Sequence, residues 1–244
     1  LDAMRFYYDL HIHSCLSPCG DDDMTPYNIV NMAKLNGLDV IAITDHNSSR
    51  NAPAVLKAAD EIGLVAIAGM ELTTREDVHI LTLFPNVENA LEFNDFVDSK
   101  RMRIENRTEI YGSQLIMNDR DEIIGEEKDL LITATDIGVY EAVKAVGAYG
   151  GAALPAHIDR DGNGLVAVLG SLEKDMGFRA VEFSLFAKRE FIEKYAKEGY
   201  GVIRDSDAHR LEEISEAGGD NYIDTDVLTA QSVIAALSFG ADIK

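Results

Sequence analysis

The sequence predicts an α/β fold, βα units wound around a largely parallel sheet, and three observations carry that prediction. Short apolar runs alternate with amphipathic stretches along most of the chain. Glycines fall where the helices should end, at Gly37, Gly63, Gly150 and Gly199, as left-handed caps do. The length of 244 residues suits one α/β barrel of roughly 250 residues, and a count of about eight strands points to a regular eightfold one.

The strand candidates, in order, are residues 7–11, 40–44, 64–70, 79–84, 152–156, 180–183, 201–204 and 222–223. Helices are expected over 25–35, 52–62, 87–100, 136–149, 189–197 and 229–239. The first of these has Thr25 as its cap and Pro26 at its first position, where the missing N–H is harmless. Residues 101–135 break the alternation: they are polar and charged, and 114–125 reads as two short β runs about a polar turn. The expected organisation is a single domain over 1–244 with an insertion or lid at 101–135 that shapes the pocket.

With 46% hydrophobic residues and 5 prolines, the chain can bury a full core. Its longest apolar runs fall far short of the roughly 18 residues of a membrane span. The first ten residues lack a basic segment followed by a long apolar one, so the expected location is cytoplasmic. The net charge of −21 argues against stable binding to duplex nucleic acid or anionic lipid, which runs on clustered Lys and Arg. Cys15 and Cys19 make no disulfide framework and read as reduced thiols.

All six histidines, His11, His13, His46, His79, His157 and His209, lie in or just beyond a strand candidate, with carboxylates close by in sequence. Residues at the C-terminal ends of barrel strands converge on one face, so these rings can meet. His11 and His13 are two apart on an alternating strand and therefore point the same way. Neutral imidazole with carboxylate suits Zn, Mn or Fe, and more than four ligands implies more than one ion. Asp45 is open between ligand and a group that orients His46, and Asp9 invites the same question.

The series Asp9-Leu-His-Ile-His-Ser14, Ile43-Thr-Asp-His-Asn47, Glu71, His79, Pro155-Ala-His157 and Asp205-Ser-Asp-Ala-His209 resembles, in order, the motifs of the PHP (polymerase and histidinol phosphatase) family. The resemblance implies a distorted (β/α)7 TIM-like barrel, with two or three divalent ions at the C-terminal ends of the strands. It places His11, His13, Glu71 and Asp207 on a first ion and makes Glu71 a bridge to a second ion held by His79 and His157. His46 and His209 fall to a third. The loop ligand of that third site departs from the commonest family pattern: the chain reads Ser17-Pro-Cys-Gly-Asp-Asp-Asp23. Asp21 is favoured there, with Asp22, Asp23 and Cys19 as alternatives.

Such a site generates a hydroxide-like nucleophile near neutral pH and holds the oxygens on which charge accumulates. Three ions against Glu71, Asp207 and Asp21 leave about +3, enough to attract a phosphate to an acidic protein. Glu71, Asp207 and His209 are the candidate catalytic residues, and Arg160 and Arg210 could grip phosphate. The proton for the leaving alkoxide could come from His209, Asp207 or water. The expected function is hydrolysis of phosphate esters of a small phosphorylated metabolite or nucleotide. A nuclease or proofreading-type module on nucleic-acid ends and a non-catalytic metal-binding protein are the alternatives. No phosphate-binding Gly-x-x-x-x-Gly-Lys loop and no Gly-x-Ser-x-Gly elbow occurs.

Overall fold

The computed structural model describes residues 4–239; the outermost residues of the expected 1–244 domain lie outside that range. Along the chain run β1 (Met4–Ile12), α1 (Pro26–Leu35), β2 (Val40–Ile43), α2 (Ala52–Glu61), β3 (Val65–Thr73), β4 (His79–Phe84) and α3 (Val87–Asp98). There follow α4 (Thr108–Tyr111), β5 (Leu115–Met117), β6 (Ile123–Glu126), α5 (Val139–Ala148), β7 (Ala152–Pro155) and α6 (Leu165–Leu169). The last part holds β8 (Ala180–Ser184), α7 (Arg189–Lys197), β9 (Gly201–Asp205), β10 (Tyr222–Thr225) and α8 (Ala230–Phe239).

Six strands form one curled sheet in the order β10-β1-β2-β3-β4-β7, while β8 and β9 make a separate parallel pair and β5 and β6 a hairpin. The expected strands all form, but not as a regular eightfold parallel barrel. β4 runs antiparallel to both β3 and β7, and β10 runs antiparallel to β1. For β4 the reason is connection length. Residues 74–78 alone separate β3 from β4, whereas a parallel crossover needs a dozen or more. The turn closes with Thr74 N–H on the Val78 carbonyl (2.9 Å), and Asp77 adopts φ +64°. Gly69 permits the tight pairing that follows, since a Cβ there would lie 2.5 Å from the Thr82 carbonyl oxygen.

The apolar runs are buried on both faces, as strands covered on two sides must be. Val40 and Ala42 enter an inner core with Tyr8, Leu10, Leu81 and Leu154, while Ile41 and Ile43 meet the helices. α1 buries Pro26, Ile29, Val30 and Ala33, the i, i+3, i+4, i+7 stripe of an amphipathic helix. Thr25 accepts from the Asn28 N–H at its start, and Asn86 accepts from the Asn89 N–H at the start of α3. Each fully buried Ile or Phe contributes roughly 1.5–3 kcal/mol. Among the described residues, no helix is long and apolar enough to cross a membrane.

Residues 101–135 contain the expected β hairpin. They pack against the loops that follow β1 and β2: Leu115 N–H donates to the Cys15 carbonyl (2.9 Å), Met117 N–H to Asn51 Oδ1 (2.9 Å), and Asn47 Nδ2 to the Leu131 carbonyl (2.7 Å). The β8–β9 pair joins the sheet more sparsely. Ile158 N–H donates to the Glu182 carbonyl (2.9 Å), Ala208 N–H to the His11 carbonyl (3.2 Å) and His13 N–H to the Ala208 carbonyl (2.9 Å).

Candidate metal centre

β1 delivers His11 and His13. Its ladder with β2 slips between Asp9 and Ile12, an irregularity of the kind that re-aims side chains beside functional sites, and the two Nε2 atoms finish 3.2 Å apart. Glu71 lies within β3, and His46 reaches it through a bridge from the loop after β2. His79 arrives by a route that strand-end counting does not foresee. It is the first residue of β4, and antiparallel pairing sets it opposite Thr73, beside the C-terminal end of β3. His157 and Asp207 each stand two residues past a strand, with φ of +31° and +55°. Such left-handed backbone at a non-glycine residue costs about 1–3 kcal/mol and clusters at functional sites.

The ligand atoms gather around Glu71. His79 Nδ1 and His157 Nε2 lie 2.7 and 3.0 Å from its Oε1, and His46 Nδ1 lies 3.1 Å from its Oε2. Three overlapping groups have ligand atoms within 4.8 Å of one another: His11, His13, Glu71 and Asp207; His46, Glu71 and His79; and His13, His46 and His209. Donors around a tetrahedral ion with bonds of 2.0–2.1 Å stand roughly 3.3 Å apart. The separations that link His11 and His13 to each other, to Glu71 and to Asp207 run from 3.1 to 3.5 Å. Glu71 Oε2, Asp207 Oδ1 and His46 Nδ1 are buried without a hydrogen-bond partner. These residues could hold divalent ions.

Neighbouring groups decide which ring nitrogen faces the centre. His11 Nδ1 lies 2.8 Å from Glu182 Oε2. His13 Nδ1 lies 2.9 Å from Ser17 Oγ, whose own proton goes to Asp45 Oδ1 (2.7 Å), so Ser17 can only accept from His13. His209 Nδ1 lies 2.8 Å from the Asp207 carbonyl, an acceptor only. In all three rings Nδ1 donates and the Nε2 lone pair is left for an ion. Asp45 therefore acts through Ser14 and Ser17, and Ser17 also accepts the His46 N–H (3.2 Å). Asp9 takes the Ser206 hydroxyl (2.6 Å) and the Ser215 N–H (2.9 Å), bracing the loop that carries Asp207.

The electrostatics favour positive charge at one part of the cluster. Burial works against ionisation of Glu71, but His79, His11 and His46 outweigh it and hold the carboxyl well below its ordinary range. Burial is likewise overcome at Asp207, chiefly by His11 and His13, so its carboxyl also lies low. Burial would lower His13, yet Asp207 and Glu71 push it up to about 9. The outlying rings behave oppositely: burial drives His46 well down, and burial with His13 brings His209 to about 4.

A cavity of about 150 Å³ opens onto this cluster, lined by Glu71, His79, His157, Arg160, Asn163 and His209 among others. Arg160 stands at its mouth, paired through Nη1 with Asp207 Oδ2. Gly164 lets the loop close here, because a Cβ would collide with the Arg160 carbonyl. Arg210 is elsewhere: it is exposed and faces Asp21 Oδ2 at 3.5 Å. Asp21 is thereby turned to a surface ion pair, and Asp22, Asp23 and Cys19 are exposed; none of the four belongs to the three groups. No residue of 101–135 lines the cavity, so that segment supports the loops behind the site. Sequence reasoning missed Glu182, Ser17 and Asn163. Glu182 carried a signal, a carboxylate inside the apolar strand 180–183, where burial demands partners.

Among proteins of known sequence, the chain is 38% identical over 86 residues to an uncharacterized protein of Methanocaldococcus jannaschii, covering 32% of this chain and 50% of that one. It is 34% identical over 79 residues to a 5'-3' exoribonuclease of Haemophilus influenzae, covering 31% and 28%. The matched region is thus half or less of each curated relative. Among solved structures, the lesion-specific endonuclease Q of Pyrococcus furiosus superposes with a TM-score of 0.70 at 20% identity, over 96% of this chain and 56% of that one. A complex of endonuclease Q holds a 27-mer duplex with an abasic lesion at its active site (TM-score 0.68, 19% identity, 96% and 56%). A Bifidobacterium adolescentis protein proposed to be a metal-dependent phosphoesterase aligns over 96% of both chains (TM-score 0.59, 20% identity). At such identities the likeness concerns the fold. The model of the PHP domain matches residues 9–209, the stretch that holds every histidine of the cluster, and the chain belongs to that family.

Proposed function

We propose that this protein is a metal-dependent hydrolase of phosphate esters, acting on a small phosphorylated metabolite or nucleotide. The observation that carries the reading is the set of three overlapping ligand groups around Glu71, whose Oε1 faces His79 and His157 and whose Oε2 faces His13 and His46 at 2.7 to 3.2 Å. In this reading the curled sheet and the β8–β9 pair are the parts of a distorted seven-stranded barrel.

His11, His13, Glu71 and Asp207 would hold one ion, and Glu71 with His79 and His157 a second. His46 and His209 would hold a third, since a neutral imidazole offers one lone pair and that of His13 serves the first ion; Asp21 would have to leave its surface pair with Arg210 to join it. Zn, Mn or Fe suits this set of imidazoles and carboxylates. Bound there, the ions supply a low-pKa water and positive charge for the phosphoryl oxygens.

The protein's own groups do the rest. Arg160 faces the cavity and offers a planar guanidinium to a phosphate, with Asp207 fixing its orientation. Asp207 has one oxygen toward His11 and His13 and the other on Arg160, so it has no free position from which to deliver a proton. His209 lines the cavity, and with Nδ1 on the Asp207 carbonyl its free nitrogen is Nε2. As a neutral ring whose Nδ1 proton is held by the Asp207 carbonyl, it would serve as a ligand of a third ion, and water would supply the proton for the leaving alkoxide.

A second reading, attack on nucleic acid, rests on the exoribonuclease relative and on endonuclease Q with its duplex. The charge of −21 weighs less against it than whole-chain arithmetic suggests, since ions at the centre decide the field at short range. Phosphate release from a phosphomonoester panel, run beside cleavage of end-labelled single-stranded and duplex oligonucleotides, separates the two. The first reading expects monoester turnover that chelation abolishes; oligonucleotide cleavage alone selects the second.

A further inference from the structure

β8 carries a carboxylate in the interior that no ligand group includes. Glu182 is fully buried, and a buried charge is tolerated only when paired and hydrogen-bonded. Its Oε2 lies 2.8 Å from His11 Nδ1, and its Oε1 accepts the His157 backbone N–H at 3.1 Å. One side chain thus grips a ring of the first ligand group with one oxygen, and with the other the backbone of His157, held at φ +31°.

We propose that Glu182 is a positioning residue for both ion sites at once. Toward His11 it fixes the proton on Nδ1 and directs the Nε2 lone pair at the ion. Toward His157 it holds the strained backbone that aims the ring at Glu71 Oε1. Both bonds need an acceptor, and an ionised carboxylate offers two acceptor oxygens. An amide offers one. In Glu182→Gln, one partner must therefore face an NH2 group: either His11 turns its tautomer and puts the proton on Nε2, or the His157 N–H loses its bond. The inference rests on the metal-centre reading above and adds a coupling between sites that the ligands alone do not imply.

The test is ion affinity, measured by competition with a chromophoric chelator for Zn on wild-type protein, Glu182→Gln and Glu182→Asp, each checked for folding by circular dichroism. Glu182→Gln should lose about 10–100-fold in affinity, the usual effect of removing a carboxylate behind a ligating histidine. Glu182→Asp, which retains two acceptor oxygens, should recover part of it. Imidazole ¹⁵N spectra of the wild-type protein should show His11 protonated at Nδ1 and bound to Zn through Nε2. Wild-type affinity in a folded Glu182→Gln variant overturns the inference and leaves the metal centre standing. A His11 ring bound through Nδ1 overturns it even if the variant does not fold. A wild-type protein that takes up no Zn overturns the metal-centre reading itself, and this inference with it.

Discussion

The six-stranded sheet and the β8–β9 pair meet at one site but bring different chemistry to it. The sheet and its loops supply His11, His13, His46, His79, His157 and the carboxylate Glu71, with Asp9 and Asp45 behind them. The pair and the loop after it supply Glu182, Asp207 and His209. The joints differ as well. From β2 to β7 the sheet strands are held by regular ladders, whereas the pair is tied on by a few backbone bonds and by buried carboxylates. Asp205 accepts the Leu10 N–H at 2.6 Å, and Asp9 accepts from Ser206. The difference shows that the sheet and its loops gather five of the six imidazoles, while Asp207 and His209 join the candidate ligand groups from the loop after the pair. Ions held between His11, His13 and Asp207 would staple the two together.

The largest effect should come from Glu71, the carboxylate shared by two ligand groups. Glu71→Gln should lower kcat/KM by on the order of 10³-fold or more, since an ion is worth several kcal/mol in the transition state; steady-state phosphate release measures it. Activity within tenfold of wild type would break the assignment. Next is ion removal. At an ion concentration of 1,000 times Kd, binding stabilises the fold by roughly 4 kcal/mol, or about 8–16 °C in Tm for a chain of this size. Calorimetry with and without chelator measures the shift. Amide exchange should then rise first at His13 and Ala208, on the joint between β1 and the pair, and least within the β2–β3 ladder. Uniform exchange would erase the contrast between the two regions.

Arg160→Ala should raise KM about tenfold or more, as losing a charged hydrogen bond of 1.5–3 kcal/mol would, with the loss in kcat smaller. Arg210→Ala makes the control. Its partner Asp21 is as exposed as itself, and such pairs contribute about 0–1 kcal/mol, so both activity and Tm should stay within error. A large effect at Arg210 would place the substrate on the far side of His209 from Arg160.

Much of this was legible in the sequence, for reasons that particular residues show. Apolar runs such as Val40–Ile43 and the Thr25-Pro26 cap carry local signals, and the helices and strands form where those signals lie. The histidines announced themselves by type and by position after strands. The reversal at β4 was harder to see, because strand direction resides in connection length and not in composition. His79 therefore reaches the centre from the start of its strand. The run Asp21-Asp22-Asp23 gives spacing no means to single out one side chain, and the pairing of Asp21 with Arg210 is a matter of rotamer that spacing does not encode. Glu182 is distant from every histidine motif in sequence, and only the folding of β8 against His11 and His157 gives it a role.

Elemental mass spectrometry of protein purified without chelator or affinity metal, read as ions per chain before and after reconstitution, tests the central claim most directly. The account predicts two to three ions of Zn, Mn or Fe per chain, lost together with phosphate release on chelation. Protein that arrives without ions and takes up none on reconstitution would contradict it.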